Sequence, residues 1–242
     1  ITQCFPDCPM ELSIVGTMYN SSQYLDEFCS RVTISAEKIC NNFEIILVDD
    51  GSPDDSLEKA KKIQSSNPKV KIIELSRNFG HHRAMMIGLK QSTGNRTLLI
   101  DVDLEEPPED LVRYWEKMQE DSEIDVVYGF KRNNKSPLIK RSISNLFHKI
   151  FDRLTSTSTP PGELVSRLMS RNYLNNLCRY DERELYIPGI WSDSGFNQVG
   201  LETNKGHNGK SNYTIRRRAS LAVNAITSFS SKPLEYVFYF GA

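Results

Sequence analysis

Several common sources of stability and function are scarce in this sequence of 242 residues. It holds five cysteines, an odd number that is too small for a disulfide scaffold and that favours a reducing compartment. The formal net charge is -1, which argues against nucleic acid as a partner because no general electrostatic attraction to phosphates is available. No uninterrupted apolar run approaches the roughly 18 residues that a transmembrane helix needs.

The short motifs of several enzyme classes are also missing. No Gly-x-Gly-x-x-Gly follows the first predicted strand, and no phosphate-binding loop ends in Gly-Lys-Ser/Thr, so neither dinucleotide binding nor a P-loop is expected. There is no Gly-x-Ser-x-Gly nucleophile elbow. The cysteines lack zinc-site spacings, and the adjacent His81 and His82 would not face one ligand from a helix.

The charge that is present is unevenly distributed along the chain. Residues 101–125 contain eleven acidic and two basic side chains, whereas residues 131–153 contain seven basic side chains and one acidic. Residues 205–218 add five basic side chains and no acidic one. Such runs are usually solvated faces, but an acidic segment followed by basic segments also suits a site that handles a metal and phosphates together.

Alternating apolar runs and helix-like segments in the first half predict an α/β sheet. Strands are predicted at residues 12–17, 43–48, 70–75, 97–101 and 125–129, and helices at 22–39, 82–89 and 107–119. Ser52 is predicted to cap a further helix, with Pro53 at its first position. In the second half we predict strands at 164–169 and 196–203, a helix capped by Ser170, and a basic amphipathic helix at 139–154.

From residue 214 onwards, apolar residues recur on one helical face, with three consecutive arginines near the start of the segment. A helix of this kind can lie at an anionic lipid interface, or it can pack on the core with its basic face exposed. The aromatic and apolar run at residues 234–240 favours the membrane interpretation. It predicts that one or two transmembrane helices follow in the natural protein.

Carboxylates follow two of the predicted strands. Asp101 and Asp103 end an apolar strand at alternate positions, Glu105 comes two residues later, and Asp50 ends another strand just before a glycine. Ligands of α/β sheets bind beyond the carboxyl ends of the strands, and Mg²⁺ is usually held by one or two carboxylates plus substrate phosphates. An acidic turn that precedes a helix explains Asp101 and Asp103 equally well.

Five short segments, taken in order, resemble the family 2 glycosyltransferases. They are residues 13–20, 44–52, 75–80, 101–108 and 126–129. The resemblance is strongest to the branch that contains dolichol-phosphate mannose synthase and the bacterial polyprenyl-phosphate glycosyltransferases. It implies an α/β GT-A fold, which is Rossmann-like and nucleotide-binding, with a central mixed, mostly parallel sheet and a C-terminal amphipathic juxtamembrane helix. It also implies a catalytic domain at 1–213, followed at 214–242 by an interfacial helix and the start of a membrane segment.

The resemblance further implies a nucleotide-sugar site with a bound Mg²⁺ or Mn²⁺. The residues implied to bind the nucleotide sugar are Thr17, Tyr19, Asn20, Asp50, Arg77, Gly80 and Asp101. The implied metal ligands are Asp101, Asp103 and Glu105, the last at a position where this branch often has Gln. The implied catalytic residues are Asp103, Arg132 and Glu163.

The expected reaction is inverting, metal-dependent transfer of a hexosyl group from a nucleotide sugar to a polyprenyl phosphate. By analogy the donor is UDP-linked, and the location is the cytoplasmic face of the bacterial inner membrane, in cell-envelope polysaccharide synthesis. A phosphomonoester is largely a dianion at neutral pH, so it needs basic side chains to position it more than it needs a general base. The candidates for that role are Lys131, Arg132, Lys205 and Lys210.

The acceptor side departs from the branch, which commonly has Asp where this chain has Val165. Either Glu163 substitutes as a base or no protein base is needed. A second hypothesis keeps the donor and makes the acceptor a sugar hydroxyl of a lipid-linked glycan or lipopolysaccharide. A third is a non-catalytic nucleotide- or glycan-binding protein at the membrane, against which the presence of both Asp101 and Asp103 argues. The sugar remains open, as does assembly into a homo-oligomer.

Overall fold

A computed structural model describes residues 10–131, 162–180 and 187–203, together with residues 238, 239 and 241. The chain divides into two compact units. Of the described residues, 10–131, 164–179 and 196–203 belong to the first unit, which contains nearly all of the regular structure. The second unit includes residues 187–195.

The first unit is built on a seven-stranded sheet. Its strands are β1 (Leu12–Met18), β2 (Phe43–Asp49), β3 (Val70–Glu74), β4 (Arg96–Asp101), β5 (Val126–Phe130), β6 (Glu163–Ser170) and β7 (Gln198–Glu202). They lie in the order β3-β2-β1-β4-β6-β5-β7. The pairs β1–β2, β1–β4, β2–β3 and β5–β7 are parallel, whereas β6 runs antiparallel to β4. The predicted mixed, mostly parallel sheet is confirmed.

Helices connect most of these strands. They are α1 (Leu25–Glu37), α2 (Ser56–Ser66), α3 (His81–Gln91), α4 (Asp110–Glu120), α5 (Arg171–Leu177) and, in the second unit, α6 (Ile187–Asp193). The helix capped by Ser170 is confirmed, because its hydroxyl accepts the backbone N–H of Tyr173 at 3.1 Å and so satisfies a donor of the first turn. The sequence pattern did not predict α6.

The core of the first unit lies where helices pack against the sheet. Every residue of β1 and β2 is buried, as expected for central parallel strands. Phe28 of α1 and Tyr114 of α4 belong to one buried cluster with residues of the sheet. Close packing makes a glycine necessary in α3, since a Cβ at Gly88 would lie 2.5 Å from Cγ1 of Val15.

The predicted start of the second helix is wrong. Ser52 does not cap it, because its backbone N–H and hydroxyl both donate to the carboxylate of Asp49. The helix begins at Ser56, after Asp55. The carboxylate of Asp54 accepts the backbone N–H of Ser56, and these hydrogen bonds form a turn in place of the first helical turn.

Two predicted helices lie wholly or almost wholly outside the residues that the structure describes. The basic helix at 139–154 lies outside the described residues, as does the amphipathic helix from residue 214, apart from residues 238, 239 and 241. Among the helices that the structure describes, none is both long and apolar enough to cross a membrane.

Candidate active site

Three neighbouring parallel strands end side by side at one edge of the sheet. Thr17 of β1 is the register partner of Asp101 at the end of β4, and Met18 is the partner of Asp49 at the end of β2. The chain continues this alignment beyond β2, where the N–H of Asp50 donates to the carbonyl of Met18 at 3.1 Å. The residues that follow these strands are therefore brought together, as the sequence predicts.

Thr17, Asp101 and His81 form one contact group at this edge. The hydroxyl of Thr17 donates to Oδ1 of Asp101 at 2.9 Å and lies 3.3 Å from Nδ1 of His81. Nε2 of His81 is 3.5 Å from Oδ2 of Asp101. Burial lowers the pKa of His81, although the negative charges of nearby carboxylates act in the opposite direction. The imidazole is therefore largely neutral at pH 7.

His81 is the residue of this group that the sequence pattern did not predict. In the sequence, the adjacent His81 and His82 suggest only a pair of zinc ligands, and their spacing disfavours that function. A positional signal identifies it, because it directly follows Gly80 and begins α3. Gly80 has a φ of 98°, a conformation that favours glycine and lets the chain turn into the helix at the sheet edge.

Asp50 joins two loops at the same edge. Only 4% of its surface is exposed, and its two carboxylate oxygens accept the backbone N–H groups of Phe79 and Gly80 at 2.7 and 3.0 Å. Gly51 has a φ of 66°, and a Cβ there would lie 2.7 Å from the carbonyl carbon of Arg77. The structure thus brings Asp50, Arg77 and Gly80 together, with Asp50 holding the loop that carries the other two.

Tyr19 and Asn20 follow β1 and lie near the surface. Tyr19 is 51% exposed, which leaves its ring available to a ligand. Asn20 has a φ of 56°, and its N–H donates to the hydroxyl of Ser52 at 3.3 Å. That hydrogen bond connects the segment after β1 to the turn after β2.

Residues 101–106, at and just after the end of β4, alternate between partly exposed and buried positions. The partly exposed residues are Asp101, Asp103 and Glu105, and the buried ones are Val102, Leu104 and Glu106. Oδ1 of Asp103 accepts the N–H of Glu105 at 2.9 Å, which closes a tight turn. The three predicted metal ligands are thus the three partly exposed positions of this segment.

These carboxylates fit a hard divalent cation that is shared with a ligand. Within the part of the chain that the structure describes, no three His, Cys, Asp or Glu side chains converge into a complete metal cage. Mg²⁺ rarely uses such a cage, because it keeps waters and binds one or two carboxylates plus substrate phosphates. Asp101, which is hydrogen-bonded to Thr17, and the partly exposed Asp103 supply oxygens of that kind.

The predicted acceptor-side residues are less completely described. Lys131 directly follows β5, and Glu163 is the first residue of β6. Arg132, Lys205 and Lys210 lie outside the described residues. Val165 contributes its backbone, since its N–H donates to the carboxylate of Glu106 at 3.2 Å.

A mostly parallel sheet that gathers polar residues beyond its strand ends is the arrangement of nucleotide-binding α/β enzymes. Residues 13–178 match the family described as glycosyl transferase family 2. The chain belongs to this family and is a glycosyltransferase, as the five sequence segments indicate.

Named relatives cover almost the whole chain. A Mycobacterium tuberculosis protein described as a glycosyltransferase is 42% identical over 233 residues, which are 96% of this chain and 68% of the relative. A Klebsiella pneumoniae protein named undecaprenyl-phosphate 4-deoxy-4-formamido-L-arabinose transferase is 28% identical over 237 residues, which are 96% of this chain and 71% of the relative.

Solved structures confirm the GT-A-like fold. A Pyrobaculum calidifontis mannosyltransferase in complex with GDP-Man and Mn²⁺ has a TM-score of 0.61 at 17% identity, covering 91% of this chain and 64% of its own. A Mycobacterium tuberculosis glucosyl-3-phosphoglycerate synthase in complex with Mn²⁺, UDP and phosphoglyceric acid has a TM-score of 0.60 at 16% identity, covering 90% and 77%.

Proposed function

We propose that this glycosyltransferase moves a sugar, with inversion, from a nucleotide sugar to a polyprenyl phosphate in a reaction that requires Mg²⁺ or Mn²⁺. The proposal includes UDP as the donor nucleotide and the cytoplasmic face of the membrane as the location. The observation that carries it is the set of partly exposed carboxylates at and just after the end of β4, of which Asp101 accepts a hydrogen bond from the hydroxyl of Thr17.

The donor nucleotide would lie across the ends of β1 and β2. The exposed ring of Tyr19 offers a stacking surface for the base. The Asp50 carboxylate has about four lone-pair positions, of which two accept the N–H groups of Phe79 and Gly80. It can therefore hold the loop and still accept an N–H from a base.

The residues around Asp101 suit the charge that develops on a departing diphosphate. A divalent cation bound there would act as a Lewis acid on the diphosphate oxygens. Thr17 donates a hydrogen bond to Asp101 and so orients that carboxylate. His81 also lies close to this carboxylate, with Nε2 3.5 Å from Oδ2 of Asp101.

A phosphate acceptor fits the lack of a carboxylate at Val165. A phosphomonoester is mostly deprotonated at neutral pH, so it can attack the sugar carbon without a protein base. We propose that Lys131, Arg132, Lys205 and Lys210 position it. The named activity of the Klebsiella relative, which is directed to undecaprenyl phosphate, supports this class of acceptor.

The test is transfer by the purified full chain from a panel of UDP-sugars and GDP-sugars to undecaprenyl phosphate in detergent micelles. We expect Mn²⁺-dependent formation of a lipid-linked sugar phosphate with release of UDP. Asp103→Asn is the matched control, because it keeps the size and one acceptor oxygen of the side chain. Equal turnover in EDTA would contradict the metal requirement, and transfer only to a sugar hydroxyl would contradict the acceptor.

A further inference from the structure

Glu106 differs sharply from the acidic residues that precede it. Only 3% of its surface is exposed, whereas Asp103 and Glu105 are partly exposed. Its carboxylate oxygens accept the backbone N–H groups of Val165 and Ser166 in β6, at 3.2 and 2.6 Å. The side chain therefore joins the loop between β4 and α4 to a different strand of the sheet.

The loop that Glu106 anchors has an unfavourable local conformation. Leu104 has a φ of 58°, in the left-handed region that a branched side chain rarely adopts. Such a conformation persists only when the surrounding contacts impose it. Leu104, between Asp103 and Glu105, packs in the hydrophobic core, and Glu106, directly after Glu105, is fixed to β6.

We infer that Glu106 is a positioning residue, which clamps the loop to β6 and so holds Asp103 and Glu105 on the exposed side where a metal would bind. This inference rests on the proposed function for its metal, but the clamp itself is a property of the protein alone. It assigns different roles to two adjacent glutamates. Glu105 faces the site, and Glu106 fixes the turn that presents it.

A carboxylate is well suited to this role because it offers two acceptor oxygens to two N–H donors. In Glu106→Gln one of these oxygens becomes an NH₂ group, which would face a backbone N–H and leave it without an acceptor. Glu106→Asp keeps both oxygens and the charge but shortens the reach by one methylene. We therefore expect Asp to retain part of the function and Gln to retain little.

The matched control is Tyr114→Phe. The hydroxyl of Tyr114 hydrogen-bonds to the hydroxyl of Ser166 at 3.0 Å in the same buried region. Its loss removes a polar contact of β6 without touching the acidic loop. If Glu106 only stabilises the fold, Glu106→Gln and Tyr114→Phe should change amide exchange and Mn²⁺ affinity alike wherever they lower thermal stability equally.

Two measurements separate the possibilities. Hydrogen exchange of the metal-free protein should show faster exchange of the amides at 103–105 in Glu106→Gln, with no such change in Tyr114→Phe. Titration with Mn²⁺ in the presence of UDP should show a dissociation constant raised about tenfold in Glu106→Gln and less in Glu106→Asp, as for other groups that orient metal ligands.

Unchanged exchange at 103–105 in Glu106→Gln would overturn the inference, as would wild-type Mn²⁺ affinity in that variant. If Glu106→Gln does not fold, the same two readouts apply to Glu106→Asp. If the wild-type protein binds no Mn²⁺ with UDP, the proposed function fails, and the exchange measurement still decides whether Glu106 is the clamp.

Discussion

The two ends of the parallel strands use carboxylates in opposite ways. Near the start of β2, the side chain of Glu44 is 1% exposed and accepts hydrogen bonds from Ser13, Lys71 and Thr93. At the end of β4, the side chain of Asp101 is 22% exposed. A buried carboxylate with this many donors stabilises the fold, whereas partly exposed carboxylates retain the capacity to bind a ligand.

Burial and the number of hydrogen-bond donors therefore distinguish Glu44 from Asp101, although both lie in strands of the same sheet. At the Glu44 end, the donors come from β1, from β3 and from the segment before β4, so the carboxylate ties three parts of the chain together. At the Asp101 end, the described residues do not form a complete metal cage, so a bound cation would share its coordination with a ligand. Substitutions at the two ends should thus affect different measured quantities.

The largest effect is expected for Asp103→Asn. The loss of a charged metal ligand should lower kcat/KM for sugar transfer by at least about 100-fold, because the charge of the leaving diphosphate is no longer balanced. The side chain is partly exposed, so we expect the free energy of unfolding to change by less than about 0.5 kcal/mol. Steady-state kinetics and urea unfolding of the same preparation check both expectations. Retained activity would contradict the assignment.

Glu44→Gln should have the opposite signature. The amide cannot accept all of the hydrogen bonds, so we expect the free energy of unfolding to fall by about 2–3 kcal/mol, with Mn²⁺ and UDP affinity unchanged. Lys61→Met is the control, because its ion pair with Glu74 is about half exposed on both sides. Lys61→Met should lower the free energy of unfolding by less than about 1 kcal/mol. Weaker UDP binding in Glu44→Gln would contradict the distinction between a stabilising carboxylate at one end of the strands and ligand-binding carboxylates at the other.

The pH dependence of stability should also depend on Glu44. Desolvation acts to raise its pKa, but hydrogen bonds from Lys71, Ser13 and Thr93 outweigh it, and the pKa lies below its ordinary value of 4.5. Because the folded state has the lower pKa, this stabilisation is present above pH 4.5 and is lost as the pH falls through the folded-state value. Thermal unfolding from pH 7 to pH 3 should show a steeper loss in wild type than in Glu44→Gln. An equal loss of thermal stability with falling pH in wild type and Glu44→Gln would contradict this role of Glu44.

Glu105→Gln should have the smallest effect. Glu105 would add a third carboxylate near the metal, where the related branch often has Gln, so we expect Mn²⁺ affinity to fall by only about threefold. Isothermal titration with Mn²⁺ in the presence of UDP measures the change. An unchanged affinity would show that Glu105 does not reach the metal.

Local sequence signals predicted much of the first unit. Apolar runs or alternating patterns located all seven strands, because a strand carries apolar residues continuously where both faces are buried and at alternate positions where one is. Ser170 correctly marked the start of α5, since an N-cap acts on backbone groups only a few residues away. The rule that ligands bind beyond the carboxyl ends of the strands placed Asp50 and Asp101 at one edge, and Asp101 contacts Thr17 there.

Features that depend on distant partners, or on a choice between two local partners, could not be predicted from the sequence. The hydroxyl of Ser52 has a local alternative acceptor in Asp49, which replaces the expected helix cap. His81 and Glu106 gain their roles from contacts with β1, β4 and β6, far away along the chain. Glu105 and Glu106 are chemically identical, and only their burial in the folded chain distinguishes them.

The central claim is that the edge formed by β1, β2 and β4 binds a nucleoside diphosphate together with a metal. Its most direct test is isothermal titration with UDP and GDP, each with and without Mn²⁺. We predict that UDP binds only with Mn²⁺ and that Asp103→Ala abolishes this binding. The claim would be contradicted if UDP bound without Mn²⁺ or bound to Asp103→Ala. It would also be contradicted if neither UDP nor GDP bound.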